Sequence, residues 1–142
     1  MKRRDARESA FLLIFENMFR DECMQEIIDT AIEERALEAD DYSKSVALLV
    51  EKNCFNIDAD IEKFLSKWKI NRLPKVTLAV LRLAVCELAY FADIPVKVTI
   101  NEAIELAKKY ASEEDASYIN GVLGSYVREK QPVKNEEAKE AE

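Results

Sequence analysis

The sequence predicts an all-α fold, and two observations carry that prediction. Glycine and proline number only two and three in 142 residues, while Ala, Leu, Ile, Glu and Lys dominate. That balance suits helices joined by short connections better than sheets and long loops. The apolar residues also recur at helical spacing, beginning with Phe11, Ile14, Phe15 and Met18 at i, i+3, i+4 and i+7. About half of the chain is apolar, enough to bury a core as one compact domain or two small helical subdomains without metal or disulfide staples.

Taken in order, the pattern predicts a first helix over residues 4–19 and a second over 24–37, led by Met24, Ile27, Ile28 and Ala31. Asp40 or Asp41 can cap a third carrying Tyr42, Val46, Leu49 and Val50, because a short side-chain oxygen accepts from the unpaired N–H groups of a first turn. Asp58 is expected to cap a fourth through Ile61, Phe64, Leu65 and Trp68, with Trp68 as its closing anchor. The residue before a proline avoids helical geometry, so Asn71-Arg72-Leu73-Pro74 marks a subdomain boundary. A fifth helix over 74–90 is apolar nearly all round and belongs at the centre of the second half. Thr99 with Glu102, and Ser112 with Asp115, form capping patterns for a sixth and a seventh helix. The apolar pattern runs on through Asn120-Gly121, so that dipeptide reads as helix, its glycine admitting a close neighbour. Asn101 and Asn120 read as internal, satisfied polar groups. Residues 1–130 thus form the helical domain, its halves near 1–70 and 74–130. Residues 131–142 read as a solvated, disordered tail.

Composition also excludes function classes. Histidine is absent, which removes the commonest general base and metal ligand. No serine or cysteine sits beside an obvious base, no CxxC pair exists, and no glycine-rich loop could cradle a phosphate. Glu33-Glu34 and Glu113-Glu114 read as solvated faces. No enzyme activity, metal or cofactor is expected. Cys23, Cys54 and Cys86 are scattered within apolar patterns and read as buried free thiols of a reducing cytosol. The most apolar run, 76–91, is broken by Thr77, Arg82 and Glu87 and is too short to cross a bilayer. With no signal-peptide core at the start, a cytoplasmic, membrane-free protein is expected.

The formal charge of −7 argues against a protein that coats nucleic acid indiscriminately. That charge is uneven: the first seven residues hold Lys2, Arg3, Arg4 and Arg7 against Asp5 alone. Cations at a helix N-terminus oppose the macrodipole, so helix stability is not their reason. At about 100° per residue, Arg4 and Arg7 lie within about 40° of the Phe11–Met18 stripe, whereas Ser9, Glu16 and Arg20 project from the other side. A basic row overhanging the core edge can pair phosphates, and Phe15 beside it is either a core aromatic or a platform for an unstacked base. At the seventh helix, Glu114 and Tyr118 either serve the helix start or face a base, the carboxylate accepting from an amino group and the ring stacking.

The opening RRDARESA at 3–10 resembles the arginine-rich start of the NusB family. PKVTLAVLRLAVCEL at 74–88 resembles its central helix, and VTINEAIELAK at 98–108 and YINGVL at 118–123 resemble its two most distinctive segments. The four blocks stand in order and span most of residues 3–127. The resemblance implies about seven helices in two small packed bundles. It also implies a transcription antitermination factor that binds single-stranded boxA-type RNA together with the small-subunit ribosomal protein NusE. Such a factor acts in the RNA polymerase antitermination complex on ribosomal RNA operons. By position it implies RNA contacts for Lys2, Arg3, Arg4, Arg7, Phe15, Glu114 and Tyr118, and a NusE-facing role for Glu87. Phe15 stands where tyrosine is common, and Tyr118 where phenylalanine is. The free protein is expected as a monomer or a homodimer. The competing reading is a helical protein–protein adaptor with an incidental basic start.

Overall fold

The structure, a computed structural model, describes residues 1–66 and 68–130. The predicted tail at 131–142 lies outside the described residues. Seven α-helices follow in order: α1 Arg3–Asn17, α2 Met24–Arg35, α3 Asp41–Lys52, α4 Cys54–Lys63, α5 Lys75–Tyr90, α6 Val96–Tyr110 and α7 Glu113–Lys130. A 3-10 turn at Ile70–Arg72 precedes α5, and no strand occurs among the described residues.

α1, α2 and α3 pack on one another, as do α5, α6 and α7. α5 joins the two groups by also meeting α1, α3 and α4, and α4 touches α3 and α7 as well. The buried residues form one continuous core. Eleven residues of α5, from Thr77 to Leu88, are buried, as expected for a helix apolar nearly all round. α1 is buried on more than its predicted stripe. Ser9, expected to face outward, is buried and donates to the Glu38 carbonyl at 2.6 Å. Ser43 of α3 donates to the Ala6 carbonyl at 2.8 Å.

Several local expectations hold. The Asp40 carboxylate accepts from the Ser43 N–H at 2.9 Å and starts α3. The Ser112 hydroxyl accepts from the Asp115 N–H at 3.1 Å at the start of α7, which runs unbroken through Asn120-Gly121. α2 stops at Arg35 because Ala36 turns left-handed (φ 54°) and the Leu37 N–H reaches back to the Ala31 carbonyl.

Other expectations are corrected. Asp58 caps nothing: α4 starts at Cys54 directly after Asn53, and Asp58 pairs in mid-helix with Arg82 of α5 through two hydrogen bonds of 2.7 and 2.8 Å. Trp68 lies beyond the end of α4 and is 49% exposed, so it anchors no helix. α6 begins at Val96, and its presumed capping residues work elsewhere: Thr99 donates to Glu87, and Glu102 binds Arg4. A Cβ at Gly121 would meet nothing within 4 Å, so no neighbour presses on this glycine among the described residues. Asn101 and Asn120 are exposed. Only Cys86 is a buried thiol; Cys23 is exposed and Cys54 partly so.

Candidate nucleic-acid interface

The basic opening divides within a single turn of helix. Lys2, Arg3 and Arg4 are exposed. The Arg3 guanidinium lies 4.0 Å from the Tyr42 ring centroid, a cation–π contact that leaves its N–H edge available. Arg4 forks onto Glu102 of α6 with contacts of 3.0–3.2 Å, yet its side chain stays 68% exposed. Arg7 departs from its expected place on the lip. Its side chain is 5% exposed, and its Nε donates at 2.5 Å to Glu87, which is 0% exposed. Neither charge meets solvent, so neither the RNA contact expected of Arg7 nor the partner-facing role expected of Glu87 has a surface to act through.

Those two residues form the polar centre of the fold. The Glu87 carboxylate accepts from Arg7, from the Thr99 hydroxyl at 2.8 Å and from the Tyr42 hydroxyl. Residues of α1, α3, α5 and α6 therefore close on one carboxylate. Burial alone would lower the Arg7 pKa, but hydrogen bonding and attraction from Glu87 outweigh it, and the shift is upward. The Tyr42 hydroxyl is pushed well above the usual tyrosine range, first by burial and then by Glu87. A buried charge persists only when paired and hydrogen-bonded, a condition this cluster meets.

The other expected residues lie farther along. α6 runs beside α1 in the same direction, as successive contacts show: Arg4 with Glu102, Glu8 with Lys109 at 2.9 Å, and the Phe11 ring with Tyr110 at 4.9 Å. Past Tyr110 the chain turns into α7, so α7 begins near the Phe11 turn of α1. Phe15 is partly buried between Phe11 and Phe19, with ring centroids 6.0 and 5.0 Å away. It borders an apolar groove of about 480 Å³ shared with Leu12, Phe19 and Leu37. Arg4 and Phe15 share a helix face but stand about 16 Å apart along the axis. Glu114 and Tyr118 line a separate pocket at the start of α7. Among the described residues, no hydrogen bond, ion pair or ring contact joins the lip, Phe15 and Tyr118 into one cluster. They stand as three separate stations.

Sequence reasoning missed Trp68 and Thr77, which share the Tyr118 pocket. Nothing local marked them: Thr77 lies in an apolar run, and Trp68 looked like a helix end.

Across the described residues the structure offers no group of His, Cys, Asp and Glu able to hold a metal, and no helix long and apolar enough to cross a membrane. What it presents is an all-helical body with an exposed basic lip, the class of a small helical binding protein. The NusB family profile matches residues 4–128, and the chain belongs to that family. It is 44% identical to the transcription antitermination protein NusB of Natranaerobius thermophilus, covering 87% of this chain and 92% of that one. It is 45% identical to the NusB of Acetivibrio thermocellus, covering 92% and 91%. Among solved structures, T. maritima NusB superposes with a TM-score of 0.83 at 37% identity, covering 96% of this chain and 98% of that one. A structure of the antitermination factors NusB and NusE in complex with double-stranded RNA matches with a TM-score of 0.79 at 32% identity, covering 89% and 96%.

Proposed function

We propose that this NusB-family chain is a transcription antitermination factor. Together with NusE it holds a single-stranded boxA-type segment of nascent RNA, within an RNA polymerase complex that reads through ribosomal RNA operons. It acts by binding and carries out no catalytic step. One observation supports the reading most: Lys2, Arg3 and Arg4 stand exposed together at one end of an otherwise acidic body. Such a lip attracts a phosphate backbone locally while the rest of the surface repels it, which favours a defined site over general coating.

The roles divide by position. Lys2, Arg3 and Arg4 contact phosphates, the solvent-exposed Arg4 exchanging Glu102 for the RNA. Phe15 and Tyr118 offer ring faces to unstacked bases, and Glu114 accepts from a base amino group. Arg7 and Glu87 hold α1 against α3, α5 and α6 and so aim the lip without touching RNA.

The test is a fluorescence anisotropy titration of labelled boxA-type RNA with and without NusE. Wild type is compared with Lys2→Ala/Arg3→Ala/Arg4→Ala at fixed salt. Binding by the wild type, strengthened by NusE and weakened at least tenfold in the triple variant, is the expected outcome. Equal RNA affinities in both proteins, with NusE still captured, would instead identify a protein–protein adaptor.

A further inference from the structure

Arg3 opens α1, where a positive charge opposes the helix macrodipole and gains nothing from the helix itself. What holds it is a ring. The Arg3 guanidinium lies 4.0 Å from the centroid of Tyr42, near the start of α3, and the negative face of that ring attracts it. The Arg7 guanidinium lies 5.8 Å from the same centroid, so one ring serves both the exposed and the buried arginine.

The ring is fixed from several sides. Its hydroxyl donates to Glu87 of α5, and it meets the Phe91 ring edge-to-face with centroids 5.5 Å apart. The next residue, Ser43, donates to the Ala6 carbonyl at 2.8 Å, which ties the start of α3 to α1. Tyr42 is thus a buried, immobile platform beneath a surface side chain.

Arg4 is held differently. Glu102 occupies the Arg4 fork with the same acceptor chemistry that a phosphate would use, and must be displaced. A ring face takes none of the guanidinium's N–H donors, so Arg3 can pair a phosphate and keep Tyr42. Of the groups that hold the nearby Asp40 carboxyl low, the Ser43 N–H comes first and Arg3 last, so Asp40 serves the start of α3. A free arginine surrenders rotamer freedom when it grips a phosphate, whereas one already laid on a ring has surrendered it on folding.

We propose that Tyr42 is a positioning residue for RNA binding: its buried ring pre-sets the Arg3 guanidinium at the lip, with the N–H fork open to a phosphate. Tyr42 itself touches no RNA. This rests on the function proposed above and deepens it, by naming what aims the first arginine of the lip.

The test is a double-mutant cycle in the full-length protein. It is read by anisotropy of labelled boxA-type RNA with NusE present, and urea unfolding is run on every variant. The ringless Tyr42→Leu and Tyr42→Met should each weaken RNA binding by roughly two- to tenfold, the cost of ordering one long side chain on binding. Tyr42→Phe loses the same hydroxyl but keeps the ring, and should bind within about twofold of the wild type. In an Arg3→Ala background the ringless variants should cause no further loss, because nothing is left to position. Proton spectra add a reading on the unsubstituted protein: the ring current should shift the Arg3 methylene protons beside the guanidinium upfield.

Equal losses of RNA affinity in Tyr42→Phe and the ringless variants would overturn the proposal, since the hydroxyl and not the ring would then matter. So would a ringless loss that persists undiminished in the Arg3→Ala background, or unshifted Arg3 protons in the wild type. In each case the wild type still binds RNA and the proposed function stands. Absence of RNA binding by the wild type, with or without NusE, would remove both readings.

Discussion

Arg4 and Arg7 lie one turn apart on the same face of α1, and each grips a carboxylate from another helix, yet they live under different physics. Arg4 and Glu102 meet at the surface, where water and salt screen the attraction and a phosphate can take the place of the carboxylate. Arg7 and Glu87 meet in the interior, where a charge persists only when paired, and Arg7 also lies 3.9 Å from Glu102. A basic run in a sequence is therefore not one functional unit. Burial divides this one into a part that faces ligands and a part that fixes the fold.

The largest effects should come from breaking the interior pair. Arg7→Ala or Glu87→Ala strands a buried charge and should cost about 3–5 kcal/mol in urea unfolding. Arg4→Ala should leave the unfolding midpoint within experimental scatter. Replacing both interior partners, as in Arg7→Met/Glu87→Met, should be far milder than either single truncation. Equal losses for Arg4→Ala and Arg7→Ala would erase the distinction.

A smaller effect is expected from the third member of the cluster. Tyr42→Phe removes a hydroxyl that donates to Glu87 and should cost about 1–3 kcal/mol, since the carboxylate loses a buried donor. The ring remains, so the Arg3 contact and the exposed lip should persist, and RNA affinity should change far less than stability. A fall in affinity without a fall in stability would instead place Tyr42 on the ligand surface.

A pH dependence confined to the interior is also expected, small at about pH 9 and growing as pH rises. Burial, followed by the neighbouring Glu87 charge, pushes the Cys86 thiol up to about 12. An unfolded thiol titrates near about 8.5. Below that pH both states hold the proton and the thiol is neutral to stability. Above it the unfolded chain releases the proton while the folded chain keeps it, so stability falls as pH rises from about 8.5 towards about 12. Cys86→Ala should flatten that decline in urea midpoints measured across the window, and identical slopes in both proteins would contradict the assignment.

Much of the fold was legible because helical spacing is a local property. Seven helices, the Asp40 and Ser112 starts and the central place of α5 follow from residues within a turn or two of one another. The misread residues are polar ones whose partners are distant in sequence. Asp58 looked like a cap but reaches Arg82, and Thr99 and Glu102 looked like a capping box but serve Glu87 and Arg4. Arg7 read as part of a basic lip because nothing near it revealed Glu87, eighty positions on. Asn53 closes α3 and opens α4 in one step, which drew α4 forward and left Trp68 free to border the α7 pocket. The lip itself was readable because charge clustering at the start of α1 needs no tertiary partner to be seen.

The slope of log affinity against log salt, measured with single-stranded boxA-type RNA, addresses the division between lip and interior most directly. Each phosphate neutralised contributes about −0.7 to that slope for a single strand. Lys2→Ala/Arg3→Ala/Arg4→Ala should flatten it by about 2, whereas Arg7→Met/Glu87→Met, if folded, should leave it as in the wild type. An unchanged slope in the triple variant, or a flattened one in the interior double variant, would contradict the account.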